Sequence, residues 1–455
     1  MHRNESNAGP LARVRVLANH LTTGENQDST VARQDTLAVG TTPQFDQAQN
    51  MTVFPPARHD ALELEELFTP EEKAIKARVR AFAEQHAAPI INKYWEKAEF
   101  PHELRSKFGE LGIGGAHIKS HGCQGLTTMG AAAAIVELGR VDGSLSTFFL
   151  VHSYLGVMTL GLLGSEAQKA ELLPGLSNFS KVAAWALTEP SNGSDASALT
   201  TTARKVPGGW ILDGRKRWIG NATFADVVIV WARSSETGQV NAFIVRKGNP
   251  GFRATKIEHK ISLRCVQNAD IHLTGAFVPD ADRLPGVESF ADAAGMLAMS
   301  RCMVAWQPVG LVTGVYDMVL RYTSQRRQFG APLASFHLVQ ERLARMQATI
   351  QAMYLMCHRL SQLYDAGRMS HEQASLVKAW TTARAREVVA LGRECLGGNG
   401  IVADFLVAKA FVDAEAYYTY EGTYDVNVLV AARGQTGYAA FKTAGRANKA
   451  PPPTH

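Results

Sequence analysis

Near the C-terminal end a glutamate sits in an aromatic, glycine-flanked run, Tyr418-Thr419-Tyr420-Glu421-Gly422-Thr423-Tyr424-Asp425. A carboxylate among aromatic rings loses hydration, which makes it more basic and suits it to taking a proton. The same residue could equally be a solvated glutamate at the start of a helix. Four further segments have residue types and spacing fit for binding chemistry. Thr188-Glu189-Pro190-Ser191-Asn192-Gly193-Ser194-Asp195 could bring hydroxyls and backbone amides close to a polar ligand, or form a plain surface turn. Arg217-Trp218-Ile219-Gly220-Asn221 holds a tryptophan that could shelter a flat ring, or serve as half-buried core. Arg326-Arg327-Gln328-Phe329-Gly330-Ala331-Pro332-Leu333 opens on two guanidinium groups. Such forks bind pyrophosphate oxygens bidentately, and at a helix end they also complement the dipole. Leu396-Gly397-Gly398-Asn399-Gly400 could let backbone approach a phosphate or ring, or only cap a helix. Read singly, each segment keeps both explanations.

The elements that must position these segments follow from periodicity and punctuation. Residues 1–55 are rich in Asn, Gln, Thr, Ser and Arg and lack helical periodicity, so they read as a disordered targeting segment. Order is expected from near Leu64. Thr69-Pro70-Glu71-Glu72 combines an N-cap, a first-turn proline and a capping-box glutamate, followed by Ile75, Val79 and Phe82 at helical spacing up to Pro89. Helical stretches continue, clearest at 131–138 and 148–163, and fill a domain over 56–185. Short β-rich runs then appear, Trp210-Ile211-Leu212, 227–231 and 242–245, with turn signals at Pro207-Gly208-Gly209 and Asp213-Gly214. They define a β domain over 186–295. Helical periodicity returns with the stripe Leu343, Met346, Ile350 and Met353, which reads as core, and a bundle spans 296–442. A flexible tail is expected over 443–455, where three prolines fall.

Composition narrows the class. A chain of 455 residues exceeds one compact core, so two or three domains are expected. The formal charge of +5 comes from scattered basic residues, which gives no nucleic-acid patch and fits an anionic ligand or simple solvated surface. The five cysteines form no CxxC pair, so no metal site or disulfide framework is indicated, and a reducing compartment fits. No apolar run reads as a membrane span.

In this order and spacing, TEPSNGSD, KRWIGN, RRQFGAPL, LGGNG and YEGT resemble the acyl-CoA dehydrogenase and oxidase superfamily, over about residues 64–442. Within it the chain looks most like the plant-type peroxisomal short-chain acyl-CoA oxidases, which share the 217–221 form and the YEGTYD of 420–425. The resemblance implies an α+β multidomain fold: an N-terminal α-helical domain, a middle β-barrel domain and a C-terminal four-helix bundle. It also implies a homotetramer whose neighbouring subunits share FAD. Thr188 and Trp218 would contact the flavin ring, with Trp185, Gly220 and Thr423 in the same cofactor set. Arg326, Gln328 and Phe329 would hold the pyrophosphate and adenine side of a neighbour's FAD, and Gly397 and Gly398 would pass close to it. Ser194, Arg301 and Gly422 would contact the acyl-CoA substrate, and Glu421 would be the base. The chain departs from the dehydrogenase pattern at Gly220, where threonine is usual, and at His337 and Glu394, where glutamine is usual. Ser146 stands where glutaryl-CoA dehydrogenases carry an arginine, which speaks against a dicarboxylyl substrate.

The implied reaction is flavin-dependent α,β-desaturation of a short-chain acyl-CoA to the trans-2-enoyl-CoA, a step of fatty-acid β-oxidation. Arg13-Val14, five residues, then His20-Leu21 fits an N-terminal peroxisomal signal read by an import receptor. That signal and Gly220 point to an oxidase that passes electrons to O₂ and releases H₂O₂. The alternatives are a mitochondrial dehydrogenase that passes electrons to an electron-transfer flavoprotein, and a catalytically silent binding module of the same fold.

Overall fold

The computed structural model describes residues 48–440. The expected targeting segment up to residue 47, with its Arg13–Leu21 signal, and the tail 443–455 lie outside the described residues. Residues 48–55, expected with the disordered segment, are packed: Ala48 and Met51 are buried, and Arg321 donates to the carbonyls of Gln49, Asn50 and Val53.

The first helix, α1 (Pro70–Phe82), starts as its cap predicts. Thr69 N donates to Glu72 Oε2 at 2.9 Å, and Glu72 N donates back to Thr69 Oγ1 at 3.3 Å. A wider turn at Ala83–Ala87 extends it toward Pro89. Helices α2 (Ile91–Lys97), α3 (Leu104–Glu110), α4 (Thr128–Val141), α5 (Gly143–Phe149), α6 (Met158–Leu163) and α7 (Glu166–Ser177) complete this helical part. The turns at 150–157 join α5 to α6 into one helical stretch.

Gly143–Leu163 (21 residues) and Phe290–Gln325 (36 residues) each hold an 18-residue window, of mean hydropathy 1.5 and 1.2 respectively. Both are long and apolar enough to cross a membrane, contrary to the expectation that no run is. Those windows are 83% and 94% buried within the molecule, so their apolar surface is already spent on this protein's core.

The middle part is a seven-stranded curled sheet. Its strands are β1 (Ala183–Ala186), β2 (Thr202–Val206), β3 (Gly209–Ile219), β4 (Val227–Ser234), β5 (Val240–Arg246), β6 (Phe252–Lys256) and β7 (Ala269–Pro279). The order is β1-β4-β2-β3-β7-β6, with β5 pairing β4. Strand β4 is flanked on both faces, and its side chains split by the period-2 rule. Ile229 and Trp231 pack with Trp185 and the leucines of α7, while Val228 and Val230 face Leu212, Phe243 and Ile271. Pro207-Gly208 makes the expected hairpin turn between β2 and β3, with Gly208 at φ 79°. Asp213-Gly214, expected as a turn, is instead a bulge inside β3: the register shifts between Leu212 and Gly214. Asp213 Oδ1 accepts the Gly275 N–H at 2.7 Å there, so the aspartate stabilises the bulge rather than reversing the chain.

The C-terminal part is helical: α8 (Phe290–Val304), α9 (Gln307–Gln325), α10 (His337–Asp365), α11 (His371–Cys395), α12 (Val407–Thr419) and α13 (Tyr424–Thr436). The stripe Leu343, Met346, Ile350 and Met353 on α10 is core, as its spacing predicts. Helix α12, which delivers the Tyr420–Thr423 segment, is fixed along its length by buried polar contacts. Lys409 Nζ meets Asp142 Oδ2 at 3.0 Å, Leu263 N donates to Asp413 Oδ1 at 2.6 Å, and Tyr417 Oη donates to Gly143 O at 3.1 Å.

Candidate active site

Helix α12 stops at Thr419, and the chain enters a left-handed turn: Glu421 has φ 54° and Gly422 φ 83°. A non-glycine residue in that region costs about 1–2 kcal/mol, so it persists only where neighbours impose it. Here they do. The Glu421 carbonyl accepts from Arg301 Nε at 3.1 Å and from Asn427 Nδ2 at 3.3 Å. The Gly422 carbonyl accepts from Lys378 Nζ at 2.7 Å and from Asn427 Nδ2 at 2.7 Å. Glycine is favoured at 422 by its φ of 83°, and a Cβ there would also lie 2.9 Å from Asn427 Nδ2 and displace the amide that holds the turn. Thr423 Oγ1 accepts from Val426 N at 3.3 Å and starts α13, so this hydroxyl is engaged as a helix cap.

The Glu421 carboxylate accepts a hydrogen bond from Ser300 Oγ at 3.3 Å. Burial pushes its carboxyl above the usual range, against the pull of Arg301, Lys378 and Ser300. Beside it, Tyr420 Oη donates to Gln307 Oε1, and Gln307 Nε2 donates to Ser146 Oγ and Thr147 Oγ1, both at 3.2 Å. The result is a more basic carboxylate in a fixed backbone, with an amide N–H that meets no acceptor among the described residues. That arrangement can take a proton and offer a hydrogen bond to a developing oxyanion. Arg301, expected along the substrate, is only 6% exposed and is turned inward. Besides the Glu421 carbonyl, its Nη1 donates to His371 Nε2 at 2.9 Å and to Ser375 Oγ at 3.3 Å.

The second and third segments meet at the sheet. Arg217 N donates to Thr188 O at 2.9 Å, which sets Thr188 beside Trp218. Trp218 has φ 65°, is half exposed, and lies under the Arg217 guanidinium at 5.0 Å. The loop is anchored from within by Glu189, whose carboxylate takes Lys216 Nζ at 2.9 Å and the amides of Thr200 and Thr201. Burial opposes ionisation of Glu189, but Lys216 and the threonine donors bring it down to about 2. Trp185 is buried, with its indole N–H on Thr159 Oγ1 at 3.1 Å and its ring edge-on to Trp231. It therefore presents no open face to a ligand, in contrast to Trp218. Ser194 is exposed. A Cβ at Gly220 would meet Val151 at 3.5 Å and Val266 at 3.7 Å, so a methyl group would fit there at ordinary contact. Val151 lies four residues after Thr147, about one helical turn or 6 Å along. The helix that carries the polar contacts to Tyr420 thus also borders Gly220.

The remaining residues gather elsewhere. Arg326, Gln328, Gly397 and Gly398 line a groove of about 650 Å³, with Arg342, Glu394 and Asn399 also on its walls. Phe329 is 83% exposed at φ 53°. Gly398 faces open space, so its backbone can be approached closely, and Gly397 has φ 56°. Glu394 is paired to Arg342 at 3.0 Å, which keeps its charge from facing an anion unopposed. His337 begins α10. Glycine backbone beside an arginine fork fits a diphosphate, and the open Trp218 ring fits a planar heterocycle.

Sequence reasoning missed Ser300, Lys378, Asn427, Gln307 and Lys216. One signal was available: Lys378 interrupts the buried face of α11 formed by Ala374, Val377, Thr381 and Ala385. A lysine on such a stripe asks for a reason.

Models of three acyl-CoA dehydrogenase domains match the chain: the N-terminal domain over 69–179, the middle domain over 184–276 and the C-terminal domain over 290–436. An acyl-CoA dehydrogenase of Bacillus subtilis is 31% identical over 368 residues, 80% of this chain and 97% of the relative. The CarC subunit of the caffeyl-CoA reductase–Etf complex of Acetobacterium woodii is 31% identical over 369 residues, 80% of this chain and 97% of the relative. A solved structure of a glutaryl-CoA dehydrogenase from Mycobacterium smegmatis in complex with FADH2 superposes with a TM-score of 0.82 at 31% identity, covering 85% of this chain and all of that one.

Proposed function

This chain belongs to the acyl-CoA dehydrogenase family, and from that premise we propose that it is a flavoenzyme that desaturates an acyl-CoA thioester between Cα and Cβ, with Glu421 as the base. The Glu421 turn carries the reading. Its carboxylate is made more basic by burial and aimed by Ser300, and its backbone is locked by Arg301, Lys378 and Asn427. The carboxylate takes the α-proton. The Glu421 N–H donates to the thioester carbonyl as enolate-like charge develops there, a contact that strengthens toward the transition state. Tyr420 and the Gln307 contacts behind it keep water from the carboxylate. Replacing Glu421 with glutamine tests this: the variant should keep FAD and lose bleaching of the flavin by acyl-CoA.

FAD, when bound, supplies the acceptor for the hydride from Cβ. Thr188 and Trp218 would cover its ring, with Gly220 beside it. Arg326, Gln328 and Phe329 would hold a diphosphate and adenine from a second copy, with Gly397 and Gly398 alongside. That division favours a homotetramer with shared cofactor sites. Thr423 and the backbone of Trp185 belong to the same cofactor surroundings, and Ser194 and Gly422 to the substrate's. Arg301 is assigned to the turn rather than to the substrate.

For the electron acceptor, the resemblance to a subunit of an Etf complex favours an electron-transfer flavoprotein. A second reading, an oxidase passing electrons to O₂, rests on Gly220 carrying no side chain where a Cβ would already touch Val151 and Val266, so that a larger residue would close the approach. Peroxisomal placement goes with the oxidase and mitochondrial placement with the dehydrogenase. Aerobic assay across acyl-CoAs of graded length, with and without an electron-transfer flavoprotein, separates them by peroxide release. The same assay tests the short-chain preference. Ser146 disfavours a dicarboxylyl substrate.

A further inference from the structure

We propose that Lys378 is a positioning residue for the base: its ammonium, reaching from α11, holds the Gly422 carbonyl and thereby fixes the left-handed turn from which Glu421 acts. This rests on the reading of Glu421 as the base.

Lys378 is fully buried and lies on the apolar stripe of its helix. Burying an ammonium is unfavourable, and an apolar side chain of similar volume would satisfy packing alone. What the lysine adds is the 2.7 Å hydrogen bond to Gly422 O. The three donors on the turn are not equivalent. Asn427 belongs to α13, the helix the turn leads into, and bonds the carbonyls of Glu421, Gly422 and Thr423. It moves with the turn. Arg301 on α8 and Lys378 on α11 tie the turn to the rest of the bundle, at successive carbonyls. Without Lys378, Gly422 keeps only its local partner, and two successive left-handed residues are free to relax toward ordinary backbone. The Glu421 carboxylate and N–H would both shift.

The lysine also contributes charge. The charged groups facing the Glu421 carboxylate are Arg301 from α8 and Lys378 from α11, and His371 lies against Arg301. Burial lowers Lys378 to about 7, so it is a cation on the acid side of that pH; there it favours the ionised base, and its removal raises the pH at which Glu421 loses its proton.

The test uses FAD-loaded full-length protein and two variants. Lys378→Met removes donor and charge, whereas Lys378→Gln keeps a donor and removes charge. For Lys378→Met the expected result is bound FAD, KM within a few-fold, and kcat lower by about 10²-fold, the scale of a 1 Å misplacement at a reacting group. Amide exchange at residues 420–424 should quicken. Lys378→Gln should recover at least tenfold of that loss, while both variants shift the acid limb of kcat upward. If Lys378→Met fails to fold, the upward shift and partial activity of Lys378→Gln carry the test. Unchanged kcat, acid limb and exchange in a folded, flavin-loaded variant overturn the proposal. A wild-type protein whose flavin is not bleached by acyl-CoA overturns the underlying reading of Glu421 instead.

Discussion

The Glu421 turn and the loop at Phe329, next in sequence to the groove residue Gln328, contain the same backbone irregularity and treat it in opposite ways. Glu421 has φ 54° and Phe329 has φ 53°. At Glu421, buried donors from α8, α11 and α13 hold the irregular backbone. At Phe329 the side chain is 83% exposed and meets Phe336 at a ring edge. A strained, exposed aromatic beside a groove lined by Arg326, Gln328 and open glycine backbone fits the proposed contact with a second copy's cofactor. On the proposed reading, the Glu421 turn is held entirely by residues of one chain, whereas the groove awaits a ligand or a second copy.

Three changes sharpen or break that comparison. The largest effect is expected at the groove. Arg326→Gln removes a guanidinium fork worth roughly 1.5–3 kcal/mol to a diphosphate, so FAD should dissociate about tenfold to a hundredfold more readily. The rate with saturating FAD should hold, and flavin fluorescence during dilution reads both. A fall in the saturated rate with affinity unchanged would merge the two regions into one site.

A smaller effect concerns pH. The Glu421 carboxyl lies above its ordinary value, chiefly through burial. The base must be ionised to act, so flavin reduction should fall as pH drops through that raised value. The acid limb should therefore sit above the normal glutamate range. Anaerobic stopped-flow at a series of pH values measures it, and Arg326→Gln should leave that limb where it is.

The smallest effect is expected from Gly398→Ala. A Cβ there meets nothing in the chain itself, so stability should change by less than about 0.5 kcal/mol. FAD retention should nevertheless weaken by roughly twofold to fivefold, because the methyl group blocks backbone approach. Unchanged retention would mean that nothing comes close to this backbone.

The same contrast explains what could be read from sequence. The groove and the base each come from contiguous segments, 326–333, 396–400 and 418–425, whose residue types announce a chemistry. The order of helical, β and helical parts was also legible, since helical periodicity gives way to short β-rich runs bounded by turn signals and then returns. The support of Glu421 was not, because Ser300 and Lys378 come from helices far away in sequence, and Asn427, just beyond the segment, turns its amide back onto it only in the folded chain. Arg301 was found but given an outward task, since nothing local tells a buried arginine from an exposed one. Asp213-Gly214 reads as a turn by composition, yet the pairing of β3 with β7 continues past it and leaves a bulge. The apolar lengths of 143–163 and 290–325 were underestimated because their few polar residues break the run on paper, while the folded helices bury them.

The most direct test of the whole account is anaerobic mixing of FAD-loaded protein with butyryl-CoA while flavin absorbance is followed. Wild type should bleach. Glu421→Gln should bind FAD equally well and bleach more slowly by about 10³-fold or more, since glutamine accepts no proton. Near-normal bleaching in that variant would contradict the assignment of Glu421 as the base.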